Sequence, residues 1–91
     1  MHIPFDTVIF KEGAVFVAHC RELDVSSCGD TIEEARKNLK TAVRLFLEEA
    51  KKLGTLTQIL GEAGYRRVRG NGGWQAPELV AMERMTVPLG R

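Results

Sequence analysis

Residues 21–50 read Arg-Glu-Leu-Asp-Val-Ser-Ser-Cys-Gly-Asp, then Thr-Ile-Glu-Glu-Ala-Arg-Lys-Asn-Leu-Lys, then Thr-Ala-Val-Arg-Leu-Phe-Leu-Glu-Glu-Ala. A short strand-like run ends at Gly29, and a strongly cued helix opens two residues later. Thr31 is placed to cap that helix through its hydroxyl. Glu34, three residues on, can reach back to the cap's own N–H, which makes the pair a capping box. Glu33 and Glu34 also sit where the helix dipole favours negative charge. Ile32, Ala35, Leu39, Ala42, Val43, Phe46, Leu47, Ala50 and Leu53 then recur at i, i+3, i+4, i+7 spacing, the mark of a helix packed along one face. Leu45 falls off this stripe. Glu33 with Lys37, and Glu48 with Lys52, are i,i+4 pairs in the favourable order. The spacing predicts a helix over residues 32–52, stopped by Gly54.

Upstream, residues 5–11 (Phe-Asp-Thr-Val-Ile-Phe-Lys) are rich in β-branched and aromatic side chains and read as a strand. Glu12-Gly13 is the expected two-residue turn, with Gly13 free to take positive φ. Residues 14–20 form the returning strand. Val15 and Val17 share one face, Phe16 and Ala18 the other, so both faces are apolar and each needs cover. Residues 25–28 make a third strand. Downstream, residues 55–63 read as a shorter helix that Thr55 could cap. Residues 65–69 read as a short strand and residues 70–73 (Gly-Asn-Gly-Gly) as a loop. Residues 79–89 alternate weakly and read as a last strand, with Pro88 forcing its end or an edge position.

The expected fold is therefore α+β, a single domain over residues 1–91. Its order is β-β-β-α-(short α)-β, with a largely antiparallel sheet and one main helix on one face. The second sheet face must be covered by the short helix, by the Trp74 segment or by a second subunit. A homodimer or higher oligomer is the expectation.

The global composition names no partner. Net charge is +1, from 13 basic and 12 acidic residues, so nothing drives the whole chain onto nucleic acid or membrane. A hydrophobic content of 44% is that of a globular protein. No apolar run reaches the length of a membrane span, and no basic-then-apolar leader is visible at the N-terminus. Two cysteines in such a chain lead us to expect a reducing cytoplasm and free thiols, with a Cys20–Cys28 disulfide as the remaining option.

Candidate chemistry is sparse. His19, Cys20 and Cys28 are the soft-ligand cluster, but His19 and Cys20 are neighbours on a strand and point to opposite faces, which opposes joint chelation of zinc or a Cys–His nucleophile pair. Paired acids such as Glu33-Glu34, Glu48-Glu49 and Asp24/Asp30 are read as caps, salt-bridge partners and solvated charge rather than a hard-cation site. The glycine loop lacks the Lys-Ser/Thr of a phosphate-binding loop. No catalytic residue, metal or cofactor is expected. Two basic features remain. Arg36, Lys37, Lys40, Arg44 and Lys51 line the outer side of the main helix and read as a solvated face. Arg66, Arg67 and Arg69 cluster near Tyr65 and Trp74, a combination that suits single-stranded RNA, where guanidinium groups and rings stack on bases.

Residues 13–49 resemble the HicB-like antitoxin family. The resemblance lies in Ala-Val-Phe-Val-Ala-His-Cys at the end of the first hairpin and in the Glu-Leu element at Glu22-Leu23. It continues through Gly-Asp-Thr-Ile-Glu-Glu-Ala at 29–35 and Asn-Leu-Lys-Thr-Ala-Val at 38–43. It covers roughly half the chain, with its weight on residues 29–35. The family usually has Pro before the Glu-Leu element; here that place is Arg21. The resemblance implies a partial ribonuclease-H-like core and a role in binding and silencing a small HicA-type RNA-cleaving toxin. It does not imply catalysis, which would need carboxylates converging on metal, and the expected strands offer only Asp6, Glu78 and Glu83. Many family members add a DNA-binding domain, for which this sequence has no clear room after Ala63. We therefore expect a non-enzymatic antitoxin-like protein that works by protein–protein contact, with Leu45 and the second sheet face as contact candidates. The alternative is a small RNA-binding module using Arg66, Arg67, Arg69 and Trp74.

Overall fold

A computed structural model describes residues 1–70 and 72–90; Asn71, within the expected glycine loop, and Arg91 lie outside the described residues. Three antiparallel strands, β1 (Thr7–Glu12), β2 (Val15–Cys20) and β3 (Val25–Gly29), form a sheet in the order β1-β2-β3. The long helix α1 (Ile32–Leu53) crosses one face of it, lying chiefly over β3 and β2. A short helix α2 (Leu56–Glu62) follows, then a separate two-stranded ribbon of β4 (Arg66–Arg67) and β5 (Trp74–Gln75). This is the expected α+β fold with one main helix.

The local details follow from the residues. Glu12 pairs with Val15, so the hairpin turn is Gly13-Ala14, one residue later than expected. Gly13 takes φ 61°, which places the glycine first in the turn, the position where a tight hairpin needs positive φ. At the start of α1 the Glu34 N–H donates to the Thr31 hydroxyl at 3.0 Å, as expected. The return bond differs: the Glu34 carboxylate accepts from the Asp30 N–H at 3.1 Å, one residue before the cap. At the other end Gly54 takes φ 76°, its N–H donates to the Lys51 carbonyl and the Thr55 N–H to the Ala50 carbonyl. Those two bonds make a Schellman motif, which satisfies carbonyls the helix would leave open. The Thr55 hydroxyl also donates back to the Ala50 carbonyl, at 3.3 Å, and so finishes α1 instead of capping α2 as the sequence suggested.

Two apolar clusters result. The first joins Ala18 and Cys20 of the sheet to Ala35, Leu39 and Val43 of α1, flanked by Ile9, Phe16 and Val25. The second joins Leu60 of α2 to Tyr65 and Trp74. Leu23 and Leu47 touch both. The strand register sends Val8, Phe10, Val15 and Val17 to the face away from α1. Phe10 is 45% exposed there and Val15 37%. Of the three covers considered from sequence, α2 and the Trp74 segment are spent in the second cluster and leave this face open.

The last expected strand is not formed. Residues 76–90 run without helix, strand, turn or bend, and 78–90 form an exposed arm. The weak alternation of 79–89 identified a segment suited to a strand, but a strand also needs a neighbour, and none of the described strands pairs with it. Pro77 fixes the exit: a Cβ on Gly64 would lie 3.0 Å from the proline ring. The radius of gyration is 15.7 Å, against about 12 Å for a compact chain of this length.

Candidate functional site

The arginine–tryptophan patch forms on the β4–β5 ribbon, where Arg67 pairs with Trp74 across the two strands. The Arg67 guanidinium sits 5.1 Å from the centre of the Trp74 ring, in cation–π range. The ring itself is only 7% exposed and packs with Leu60 and Tyr65. This corrects one expectation: Trp74 is not a platform open to a base. Its faces are taken by its own core and by Arg67. Arg66, Arg67 and Arg69 remain at the surface as a cationic cluster.

Leu45, off the helical stripe, is 54% exposed. Phe46 and Leu53, expected on the buried stripe, are exposed as well; at i,i+7 spacing they share one side of α1, about 100° round the helix from Leu45. The physical reason is length. Ala35 and Leu53 lie on the same line of α1, yet Ala35 is buried and Leu53 exposed: a helix of 22 residues, about 33 Å, outruns strands of five or six residues, about 20 Å. The opposite side of α1 carries the cations. Lys37, Lys40, Arg44 and Lys51 rim a groove of about 560 Å³ between α1 and the N-terminal segment, floored by apolar side chains such as Phe5 and Leu47. Arg44 also pairs with Glu48 at 3.6 Å.

One polar node was missed in the sequence. The Glu22 side chain is fully buried. Its two carboxylate oxygens accept from the Asp6 N–H at 3.1 and 3.0 Å, from Arg21 Nη2 at 3.3 Å and from the Cys20 thiol at 3.8 Å. Arg21 Nη2 also donates to Asp6 Oδ2 at 3.0 Å. The Arg21 hydrogen bond holds the Asp6 carboxyl below the usual aspartate range, and burial pushes the Cys20 thiol up. Nearby, the Tyr65 hydroxyl donates to the Pro4 carbonyl at 2.6 Å, and burial raises its ionisation strongly. With its oxygens so engaged, Glu22 works as a tie: it binds Asp6 to the β2–β3 connection. Arg21, which donates to both Asp6 and Glu22, makes that tie two-sided. The signal in the sequence was faint, one of two acids flanking Leu23 in a four-residue connection.

The acids weighed for catalysis do not meet. Asp6 is tied to Arg21, while Glu78 and Glu83 lie on the exposed arm. His19 bonds Ser26 at 2.6 Å and approaches Asp24 at 3.4 Å on the open face, and Cys20 is buried on the other side. Cys20 and Cys28 are free thiols, so the disulfide option is set aside. Among the described residues no group of three or more His, Cys, Asp and Glu could hold a metal ion, and no helix is long and apolar enough to cross a membrane. No family model, curated protein or solved structure matches the chain.

Proposed function

We propose that the chain is an antitoxin-like protein that binds and neutralises a small RNA-cleaving HicA-type toxin by protein–protein contact, without catalysis of its own. The observation that carries this reading is the C-terminal half of α1, where Leu45, Phe46 and Leu53 stand exposed. Exposed apolar patches on a packed scaffold mark places where another protein sits. The choice of partner rests on the resemblance of residues 29–35 and 38–43 to HicB-like antitoxins. The dispersed carboxylates favour a binding role over hydrolysis. The alternative, a small RNA-binding module, retains Arg66, Arg67 and Arg69 but loses its stacking ring, since Trp74 is buried.

The test is co-expression with the product of a neighbouring short basic reading frame that has a central histidine. The chain should rescue growth and co-purify with that product. Leu45→Asp with Phe46→Asp should weaken the complex by about a hundredfold or more, as expected for two apolar anchors at an interface centre. Full neutralisation by this double variant would remove α1 from the contact. Salt-sensitive binding of single-stranded RNA with no toxin captured would sink the reading itself.

A further inference from the structure

Two features of the fold are each incomplete. The first is the edge of β1. Thr-Val-Ile-Phe-Lys-Glu is six residues long, contains no proline, and pairs only with β2 among the described residues. Natural sheets blunt such edges with prolines, bulges or covering elements, because an open apolar edge recruits another strand. The β3 edge is treated differently: α1 lies over that strand, and the Asn38 side chain donates to the Cys28 carbonyl at 2.9 Å. The second feature is the arm. Val80, Met82, Met85, Val87 and Leu89 are between 58% and 95% exposed, on a segment that runs without turn or bend.

The two match residue for residue when laid parallel. Thr7 then falls beside Leu79, Val8 beside Val80, Ile9 beside Ala81 and Phe10 beside Met82. Lys11 falls beside Glu83 and Glu12 beside Arg84. Apolar side chains meet apolar ones at the middle positions, and both charged positions meet their opposites. No antiparallel register aligns both charged pairs favourably: Lys11-Glu12 and Glu83-Arg84 run in opposite order of sign, so reversing one strand sets Lys11 opposite Arg84 and Glu12 opposite Glu83.

We propose that residues 79–84 of one copy add as a fourth strand, parallel to β1, to the sheet of a second copy, and that the exchange is reciprocal. A second copy is the occupant because the arm is held by Pro77 beside Gly64 and forms no ladder with its own β1. Reciprocal exchange is also the symmetric, closed arrangement that two identical chains favour. It pairs the backbone of a segment that otherwise has no partner strand. It also sets Val80 and Met82 beside Val8 and Phe10 on the open sheet face, which extends that apolar surface across the interface.

The test combines light scattering over a micromolar range with hydrogen exchange on the full chain. The wild type should be a dimer whose amides at 79–84 and along β1 exchange slowly. Glu83→Arg with Arg84→Glu changes only side chains on the exposed arm, so the monomer should keep its circular dichroism. Four charge pairs would turn repulsive in the dimer, and its dissociation constant should rise by about a hundredfold. Adding Lys11→Glu and Glu12→Arg should restore the dimer and the slow exchange. A monomeric wild type would overturn the proposal, whether its arm is protected on its own edge or not. So would a dimer indifferent to the arm reversal. An arm-dependent dimer that the β1 reversal fails to rescue would place the arm elsewhere and overturn the assignment to β1.

Discussion

At the scale of single residues, the arrangement around Glu22 accounts for more than any residue singled out from the sequence. A buried carboxylate is costly unless its oxygens are engaged, and here they accept from a backbone N–H, a guanidinium and a thiol. Asp6 shares the same guanidinium, and its carboxyl is held below the ordinary value by it. The sign of the pH dependence follows. A carboxyl whose folded value is depressed adds stability that is fully present above its unfolded value of about 3.9 and is lost as pH falls through the lower folded value. Asp6→Asn removes that dependence. Denaturant midpoints of the wild type should therefore fall faster than those of Asp6→Asn as pH drops below about 4, from the ordinary aspartate value downward. Parallel curves for the two proteins would mean that Arg21 does not hold Asp6 in solution.

At the scale of elements, the junction of β3 and α1 is the most tightly specified part of the chain, and it was also the most legible. Capping, acids in the first turn, apolar periodicity and a terminal glycine all pointed to one helix, and the structure forms it within a residue of the expected end. These cues are local, so they can be read without knowing the fold. Elements that depend on distant neighbours were read less well. The stripe predicted burial of Phe46 and Leu53, but the strands are too short to underlie the whole helix. Trp74 looked available because its burial depends on Leu60 and Tyr65, which its own surroundings in the sequence do not reveal. The segment 79–89 had strand character and no partner strand among the described residues. One role of the junction was not foreseen. Gly29 was read as a strand terminator, yet a Cβ there would lie 2.6 Å from the Ala35 nitrogen and 2.9 Å from the Glu34 backbone carbon. Its neighbours are helix backbone, which cannot swing aside as a side chain would. Gly29→Ala should therefore force α1 away from β3 and cost about 1–3 kcal/mol, the range for overpacking. The check is a urea unfolding curve, and an unchanged midpoint would mean that the strand–helix approach is looser than drawn.

At the scale of the whole molecule, the question is whether two apolar clusters fold as one unit. Each is small: five buried residues lie in the sheet–α1 cluster and three in the α2–Trp74 cluster, so neither has the core expected of an independent domain. Three links join them. Leu23 and Leu47 pack against both clusters, and the Tyr65–Pro4 hydrogen bond ties the second cluster to the segment leading into β1. Two separate reporters can follow them. Trp74 is the only tryptophan and sits in the second cluster, so its fluorescence reports that cluster, while far-ultraviolet circular dichroism is dominated by α1. In the wild type the two signals should give coincident unfolding curves, as a cooperative single domain does. Leu47→Ala trims the side chain that both clusters share. It should cost about 2 kcal/mol, the low end for a leucine truncation because Leu47 is half-buried. The more telling effect is on coupling: the fluorescence transition should move to lower denaturant than the helical one, since α2 and Trp74 lose their footing on α1 while the sheet keeps Leu39 and Val43. If the two curves shift together in the variant, the clusters are joined chiefly through Leu23 and the Tyr65–Pro4 bond. If they already differ in the wild type, α2 and the β4–β5 ribbon form an appendage that opens on its own.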